Sequence, residues 1–414
     1  MQKNKHLIIF TYDYPYGKSE KTFIEYELER LSEEYQKIEI INQKNVSNQS
    51  VSILKKKNLK FENSFANTIK TENIIKVFTK EVIINKKFWC EIIINLFKKN
   101  FFKKIKMIIN EMCLSCLLTE FIKKRYDKND SIIFYSFWSN YNLIAFANLK
   151  KIFTNSKFIS RALGSDLNGF IKNDDYVAYK RLKFSSLDKL ILLGDYQKEK
   201  LIELGLGNKI AIAPLGIYPQ KNQNFLNKDL NSKDKITFTS CGNLIEIKNI
   251  FLMIKFLKKF SEITKKQIKF ILIGDGILRK KILNQLNNQK LFNFEYHEYI
   301  ESFTNFLTIN KTHFFLNFSS QEGMPFTIME SMSLGIPSIT SNIKPNKFLV
   351  ENNGYYFDLK NFDETIVKLI HEIDNDINEK KPYLSKSLKS YEFIHNHLIN
   401  ENCHKKFYEI LKNL

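Results

Sequence analysis

In the stretch SSQEGMPFTIMESMSLGIPSIT, residues 319–340, two glutamates stand with seven residues between them. Glu322 precedes a glycine and a proline, and Glu330 sits among Met329, Met332 and Leu334. A carboxylate among apolar side chains is costly to desolvate unless a polar group meets it. The pair therefore asks for partners, from the protein or from a ligand. HFFLNFS (313–319) reads as a buried strand and SQEG as the turn at its carboxyl end. Pro325 suits the first turn of a helix, and Gly335 ends it. After Gly323 the backbone N–H groups of Met324, Phe326 and Thr327 would then be unpaired, a setting suited to a diphosphate. Glu322 could accept from sugar hydroxyls and Glu330 from a ribose. The same pair also fits a structural role, Glu322 in the turn and Glu330 capping a neighbouring loop.

Other loops bring compatible chemistry. CGNLIEIKN (241–249) places Lys248 just past a strand, where its ammonium could meet a phosphate. IGDGILRKKI (273–282) is a strand-to-helix glycine turn holding Gly274, and a single G-x-G is a weak signal. In YDYPYGKSEKTFIEYEL (12–28), another such turn, Gly17 and Ser19 leave room for a ligand to approach. SRALGSDL (160–167) closes a strand with Gly164 and Asp166. His297, His313, His395 and His397 show no metal spacing. The five cysteines are odd in number without a disulfide-scaffold pattern. Cys113 and Cys116 form a C-x-x-C inside an apolar helical stretch, read as buried thiols rather than a metal or redox pair.

Elements that could position these residues follow in regular alternation. Strands are expected at 7–12, 38–42, 132–137, 157–162, 189–193 and 209–214, then at 235–242, 269–274, 292–297, 313–319 and 337–341. Several are continuous apolar runs, as strands covered on both faces require. Alternation with helical patterns predicts α/β architecture, two Rossmann-like doubly wound parallel sheets facing across a cleft. The expected domains are 1–215 on the acceptor side, 216–385 on the nucleotide side, and C-terminal helices over 386–414 packing back toward the first. A polar linker runs over 215–235. Ligands of such sheets sit beyond the carboxyl ends of the strands.

One stretch breaks the rhythm. From Lys86 to Arg125, Ile94, Phe97, Phe101, Ile105, Ile108 and Met112 fall at helical spacing. Lys98, Lys99, Lys103, Lys104 and Lys106 crowd the other side. This predicts either a core helix with a solvated basic face or a patch that meets anionic lipid headgroups.

A chain of 414 residues exceeds one typical core, and 43% hydrophobic with 14% aromatic content suits packed interiors. The formal net charge of +20 is almost all lysine, and arginine, the better fork for phosphates and base edges, is scarce. Enrichment in Lys, Asn, Ile and Phe also fits a coding bias toward A and T. No nucleic acid is expected as a partner, whereas anionic substrates or an anionic membrane surface suit the charge. The N-terminal apolar run is too short for a signal peptide, and no uncharged stretch reaches membrane-spanning length. A cytoplasmic protein is expected, peripheral at the inner face of the membrane if the 86–125 patch meets lipid.

Taken together, EGMPFTIMESMSLGIPSI resembles the E-G-x-P-x-x-x-x-E-A-M-x-x-G-x-P motif of retaining GT-B glycosyltransferases of family four. YGKSEKTFIEYELERL, FYSFWSNYNLIAFANLKK, SRALGSDL, KNIFLMIKFL and IGDG are each similar to segments of bacterial members that build surface polysaccharides. The resemblance implies transfer of a sugar from a UDP- or GDP-linked donor to a saccharide or lipid-linked saccharide, with retention and with neither metal nor cofactor. It also implies that Glu322 engages the donor sugar, Glu330 the ribose and Lys248 the diphosphate. Ile300 would hold the base through its backbone. Two departures stand out: Asn243 where the family has an arginine, and Leu163 where many relatives have a histidine before the glycine and aspartate. Arg161, Glu246 and Lys248 are the neighbours that could compensate. The alternative is a catalytically silent nucleotide-sugar-binding subunit that supports a partner transferase.

Overall fold

The computed structural model describes residues 6–17, 20–44, 54, 56–169, 174, 176–220 and 235–414. Ser19 and the linker from 221 to 234 lie outside the described residues. The chain divides into two compact units, one of residues 1–215 with 403–414 and one of residues 216–402.

The first unit is built on β1 (His6–Thr11), β2 (Lys37–Asn42), β3 (Leu59–Glu62), β4 (Ile132–Ser136), β5 (Lys157–Ala162), β6 (Lys189–Leu192) and β7 (Ile210–Ile212). They pair in the order β3-β2-β1-β4-β5-β6-β7, every pair parallel. The second holds β8 (Lys235–Cys241), β9 (Gln267–Ile273), β10 (Asn293–His297), β11 (Phe314–Asn317), β12 (Ser338–Ser341) and β13 (Tyr355–Phe357). Their order is β10-β9-β8-β11-β12-β13, again all parallel. Each sheet reverses its strand order once, between β1 and β4 and between β8 and β11. That reversal opens a crevice at the carboxyl ends of the central strands.

Apolar runs make the central strands what they are. Every residue of β4 is buried, and its Phe134 stacks on Phe158 of β5 with ring centroids 5.0 Å apart. In the second unit Phe238 of β8 packs edge-on against Phe260 at 5.1 Å. Phe260 belongs to the helix Ile250–Thr264, whose buried face holds Ile250, Met253, Ile254, Phe256, Leu257 and Phe260, mostly at three- and four-residue spacing.

Two expectations need correction. The return of the chain to the first unit begins at Cys403 rather than at 386, because the helix Lys381–His397 stays with the second unit. Ile217 fixes the strand-like crossing, donating to Leu398 O at 3.0 Å and accepting from Asn400 N at 2.9 Å. The 86–125 stretch is not one helix but two, Lys86–Asn95 and Phe101–Arg125. Asn100, with φ 61°, turns the chain between them in the left-handed region that asparagine tolerates. As a result Ile94 and Phe97 face solvent instead of the core, while Ile108 and Met112 are buried. Lys104, expected on the solvated side, is buried beside Asp174 at 2.8 Å.

Candidate functional site

The second unit's crevice is shaped by two loops, one after β8 and one after β11. Gly242 and Gly274 let the β8 and β9 turns touch: a Cβ on Gly274 would stand 2.0 Å from Gly242 O. The β8 loop then reaches the β11 loop, where Ser320 N donates to Ile247 O at 2.8 Å. Asn249 Nδ2 donates to Phe318 O at 2.9 Å. These bonds hold Lys248 beside Glu322.

Lys248 Nζ lies 2.6 Å from Glu322 Oε1. The same oxygen accepts from Ser319 Oγ at 2.6 Å and from Asn317 Nδ2 at 3.2 Å. Three donors on one oxygen fix the carboxylate and leave Oε2 without a partner among the described residues. Asn317 is in turn tied to Ser319 N at 3.1 Å. Asn317 and Ser319 were not singled out from the sequence. Their signal is a polar residue interrupting the apolar run HFFLNF just where the strand ends.

Pro325 is the cap residue of a short helix, Phe326–Met332, not a member of its first turn. Its carbonyl accepts from Ile328 N and Met329 N at 3.1 and 3.3 Å, and the Met324 and Thr327 N–H groups bond to nothing among the described residues. Gly335, with φ 64°, stops the turn that follows. Glu330 lies on this helix, its carboxylate without a hydrogen bond or ion pair among the described residues, and burial pushes this carboxyl up to about 7. The nearby Cys241 thiol is pushed up to about 12, mainly by burial and then by the Glu330 charge, with Lys248 opposing. Cys241, Lys248 and Glu330 therefore share one electrostatic neighbourhood. Asn243 is exposed in the same loop. Ile300 follows β10, and its N–H and C=O are unpaired among the described residues.

In the first unit the loops after β1, β4 and β5 meet at the other crevice. Glu20, fully buried, accepts from the backbone N–H groups of Tyr12, Asp13 and Tyr14 at 2.8–3.0 Å and from the Trp138 indole. This carboxylate, missed in the sequence, ties the β1 loop to the β4 loop. Gly17 closes its turn on Asp13, whose Cγ would stand 2.2 Å from a Cβ there. Asp166 Oδ2 accepts from Leu163 N at 2.8 Å, and burial pushes this carboxyl up to about 6 against the pull of the Leu163 and Ser139 N–H groups.

These loops and the helix Phe101–Arg125 enclose a cavity of about 750 Å³. Tyr12, Trp138, Tyr141, Met107 and Leu114 form its apolar wall, and Gln43, Asn140, Asp166, Glu111 and Lys183 its polar part. Lys183 and Glu111 pair at 2.5 Å. Gln43 Nε2 and the Tyr141 hydroxyl are buried at this cavity without a hydrogen-bond partner among the described residues. Orphaned buried polar atoms of this kind point to a ligand or water that completes them.

Arg161 does not serve this site. It is fully buried and bonded to Glu27 at 2.6 Å, Tyr135 OH at 3.1 Å and Ala213 O at 2.7 Å. Arg161 lies inside β5, which ends at Ala162, whereas Leu163 belongs to the loop beyond the strand. Cys113 and Cys116 are buried free thiols. No group of three or more His, Cys, Asp or Glu side chains suited to a metal ion occurs among the described residues. No helix among them is long and apolar enough to cross a membrane.

Residues 222–387 match the family described as Glycosyl transferases group 1. The chain is 28% identical over 233 residues to an uncharacterized glycosyltransferase of Methanocaldococcus jannaschii, covering 52% of this chain and 56% of that one. It is 31% identical over 181 residues to the O-antigen biosynthesis glycosyltransferase WclY of Escherichia coli, covering 41% of this chain and 48% of WclY. The chain thus spans about half the length of the curated relatives it matches. Among solved structures it is similar to a variant of S. aureus TarM in complex with fondaparinux, alpha-GlcNAc-glycerol and UDP. There the TM-score is 0.67 at 13% identity, over 98% of this chain and 99% of that one. By fold the chain is a GT-B protein, and residues 222–387, within its second unit, match the glycosyl transferases group 1 model.

Proposed function

We propose that this chain is a glycosyltransferase of surface-polysaccharide biosynthesis. It moves a sugar, with retention and without a metal ion, from a nucleoside-diphosphate donor to a saccharide or lipid-linked saccharide acceptor. The observation that carries the reading is the arrangement at the β8–β11 crevice. There Lys248 pairs with a fixed Glu322, and on the following helix the half-buried Glu330 has a carboxylate without a partner among the described residues. Lys248 offers charge to a departing diphosphate, together with the Met324 and Thr327 N–H groups. Glu322 keeps one free carboxylate oxygen for the hydroxyls of the donor sugar. Glu330 gains by meeting ribose hydroxyls, which would end its isolation. Gly323, Pro325 and Phe326 shape the turn that lets the donor approach, and Ile300 offers its backbone to the base. The first unit's cavity, with its aromatic wall and orphaned Gln43 and Tyr141, supplies the acceptor side, and Asp166 positions its loops. WclY, by its name an O-antigen glycosyltransferase, and TarM, seen with UDP, support the same assignment.

Such a site needs no protein nucleophile if the acceptor attacks on the face the diphosphate leaves. Its work is positioning, and stabilising charge that builds on the leaving group. The test compares Glu322→Gln with wild type, using the donor that binds best among UDP- and GDP-linked sugars and a lipid-linked saccharide acceptor. Removing a preorganised stabiliser costs about 10²–10³ in turnover. We expect a loss of that size in the variant with donor binding retained. A wild type that binds donor yet neither transfers nor hydrolyses it would assign the chain to the silent binding subunits, as the exposed Asn243 and the buried Arg161 would then explain.

A further inference from the structure

The break in the 86–125 stretch leaves an unusual surface on the first unit. Phe97 and Phe102 are 95% and 85% exposed, and Ile84, Trp89, Ile93 and Ile94 are exposed as well. Trp89 and Ile93 stand four residues apart, as do Cys90 and Ile94, so one face of the helix Lys86–Asn95 points outward, and Phe97 follows just beyond its end. Trp89 Nε1 donates to Ile83 O at 2.6 Å, which joins the preceding turn to the same face. Packing of this kind exposes far more apolar surface than scattered single residues do.

The charge around it is one-sided. Residues 71–106 hold nine lysines against three glutamates. Of the lysines, Lys104 is taken up by Asp174, and of the glutamates, Glu91 accepts from the Tyr176 hydroxyl at 2.7 Å. Lys98, Lys99 and Lys103 are exposed directly beside Phe97 and Phe102. Protein partners disfavour lysine at an interface. An anionic bilayer favours it, with lysine at the headgroups and Trp, Phe and Ile at the acyl boundary.

We propose that this face of the first unit docks on an anionic lipid bilayer, with Phe97 and Phe102 as its inserted tip. The placement has a consequence for the cavity. Phe102 lies in the first turn of the helix Phe101–Arg125, and Met107 and Glu111 of the same helix line the cavity. At the helical rise they stand about 8 and 14 Å along the axis from the tip. Docking would therefore bring the cavity to the depth at which a lipid-linked saccharide is presented. That last step rests on the proposed function, whereas docking itself does not.

The experiment is flotation of the full chain with phosphatidylcholine vesicles, with and without phosphatidylglycerol. Salt is raised from about 0.1 M to about 1 M, which shrinks the Debye length from about 10 Å to about 3 Å. Wild type is expected to float only with the anionic vesicles and to be released by salt. Phe97→Ser with Phe102→Ser, and separately Lys98→Glu with Lys99→Glu, should each lower binding at least about tenfold. Both variants should melt as wild type does, because the residues changed are exposed. Equal flotation with neutral and anionic vesicles, or unchanged flotation of both variants, would overturn the proposal. So would a dimer in light scattering that the Phe97/Phe102 variant dissolves, since the face would then join two copies. Transfer to a water-soluble saccharide, measured without vesicles, reports on the proposed function alone and should be unchanged in both variants.

Discussion

Burial pushes Glu330 from 4.5 up to about 7, and no hydrogen bond or ion pair among the described residues offsets that. Its folded value lies above the unfolded one, so the folded chain holds the proton more tightly. Stability then falls as pH rises through the window from about 4.5 to about 7, and the loss is complete above it. Glu330→Gln lacks this penalty. In urea unfolding it should match wild type near pH 5 and exceed it by about 1–3 kcal/mol at pH 8. Ribose hydroxyls donate to a carboxylate, so they favour the ionised form. Nucleoside-diphosphate affinity should therefore rise with pH up to about 7 in wild type by roughly tenfold more than in Glu330→Gln. Taking the difference between the two proteins removes the ligand's own titration. A difference that stays flat across pH 5.5 to 8 would separate Glu330 from the ligand. Spacing alone marked Glu322 and Glu330, because an acidic residue in an apolar helix is conspicuous. Arg161 misled because it lies inside β5, where it is buried against Glu27, whereas Leu163 belongs to the loop beyond the strand end.

Every strand expected from the sequence forms, and the two that escaped notice, β3 and β13, are the outermost partners in their sheets. Edge strands cover only one neighbour, so LKFE and YYF need no continuous apolar run. The helices around 86–125 were misjudged for the opposite reason. Helical periodicity continued through residues that a Lys-Lys-Asn turn then separated, and periodicity carries no information about a local reversal of φ. Close approach between turns was equally invisible, although it explains Gly274. With φ 131° and a Cβ that would stand 2.0 Å from Gly242 O, this residue joins the β8 and β9 turns backbone to backbone. Gly274→Ala should thus cost about 2–4 kcal/mol in denaturant unfolding. It should also weaken nucleotide binding, because the displaced Gly242 turn carries Lys248. A stable variant with wild-type binding would mean that the two turns can part without moving the site.

Across the molecule, the two sheets divide the proposed labour: each crevice at a strand-order reversal has its own unsatisfied polar groups. The second has the Glu330 carboxylate and the Met324 and Thr327 N–H groups, without partners among the described residues. The first has Gln43 Nε2 and the Tyr141 hydroxyl. Net charge and composition could not separate these roles, since the lysine excess spreads over both halves of the chain. The division predicts separable defects. Lys248→Ala should weaken a nucleoside diphosphate by about ten- to a hundredfold in calorimetric titration, as loss of a charged hydrogen bond does. Tyr141→Phe should leave that affinity within about twofold. It should not destabilise the fold either, because removing a buried hydroxyl without a partner among the described residues relieves an uncompensated desolvation cost. Yet if the cavity takes the acceptor, a hydroxyl that waits for a saccharide is lost. The acceptor KM should then rise about five- to tenfold at nearly constant turnover with saturating acceptor. A Tyr141→Phe protein that loses stability would show the hydroxyl already satisfied within the fold. One that loses nucleotide affinity would place the cavity's effect on the donor instead.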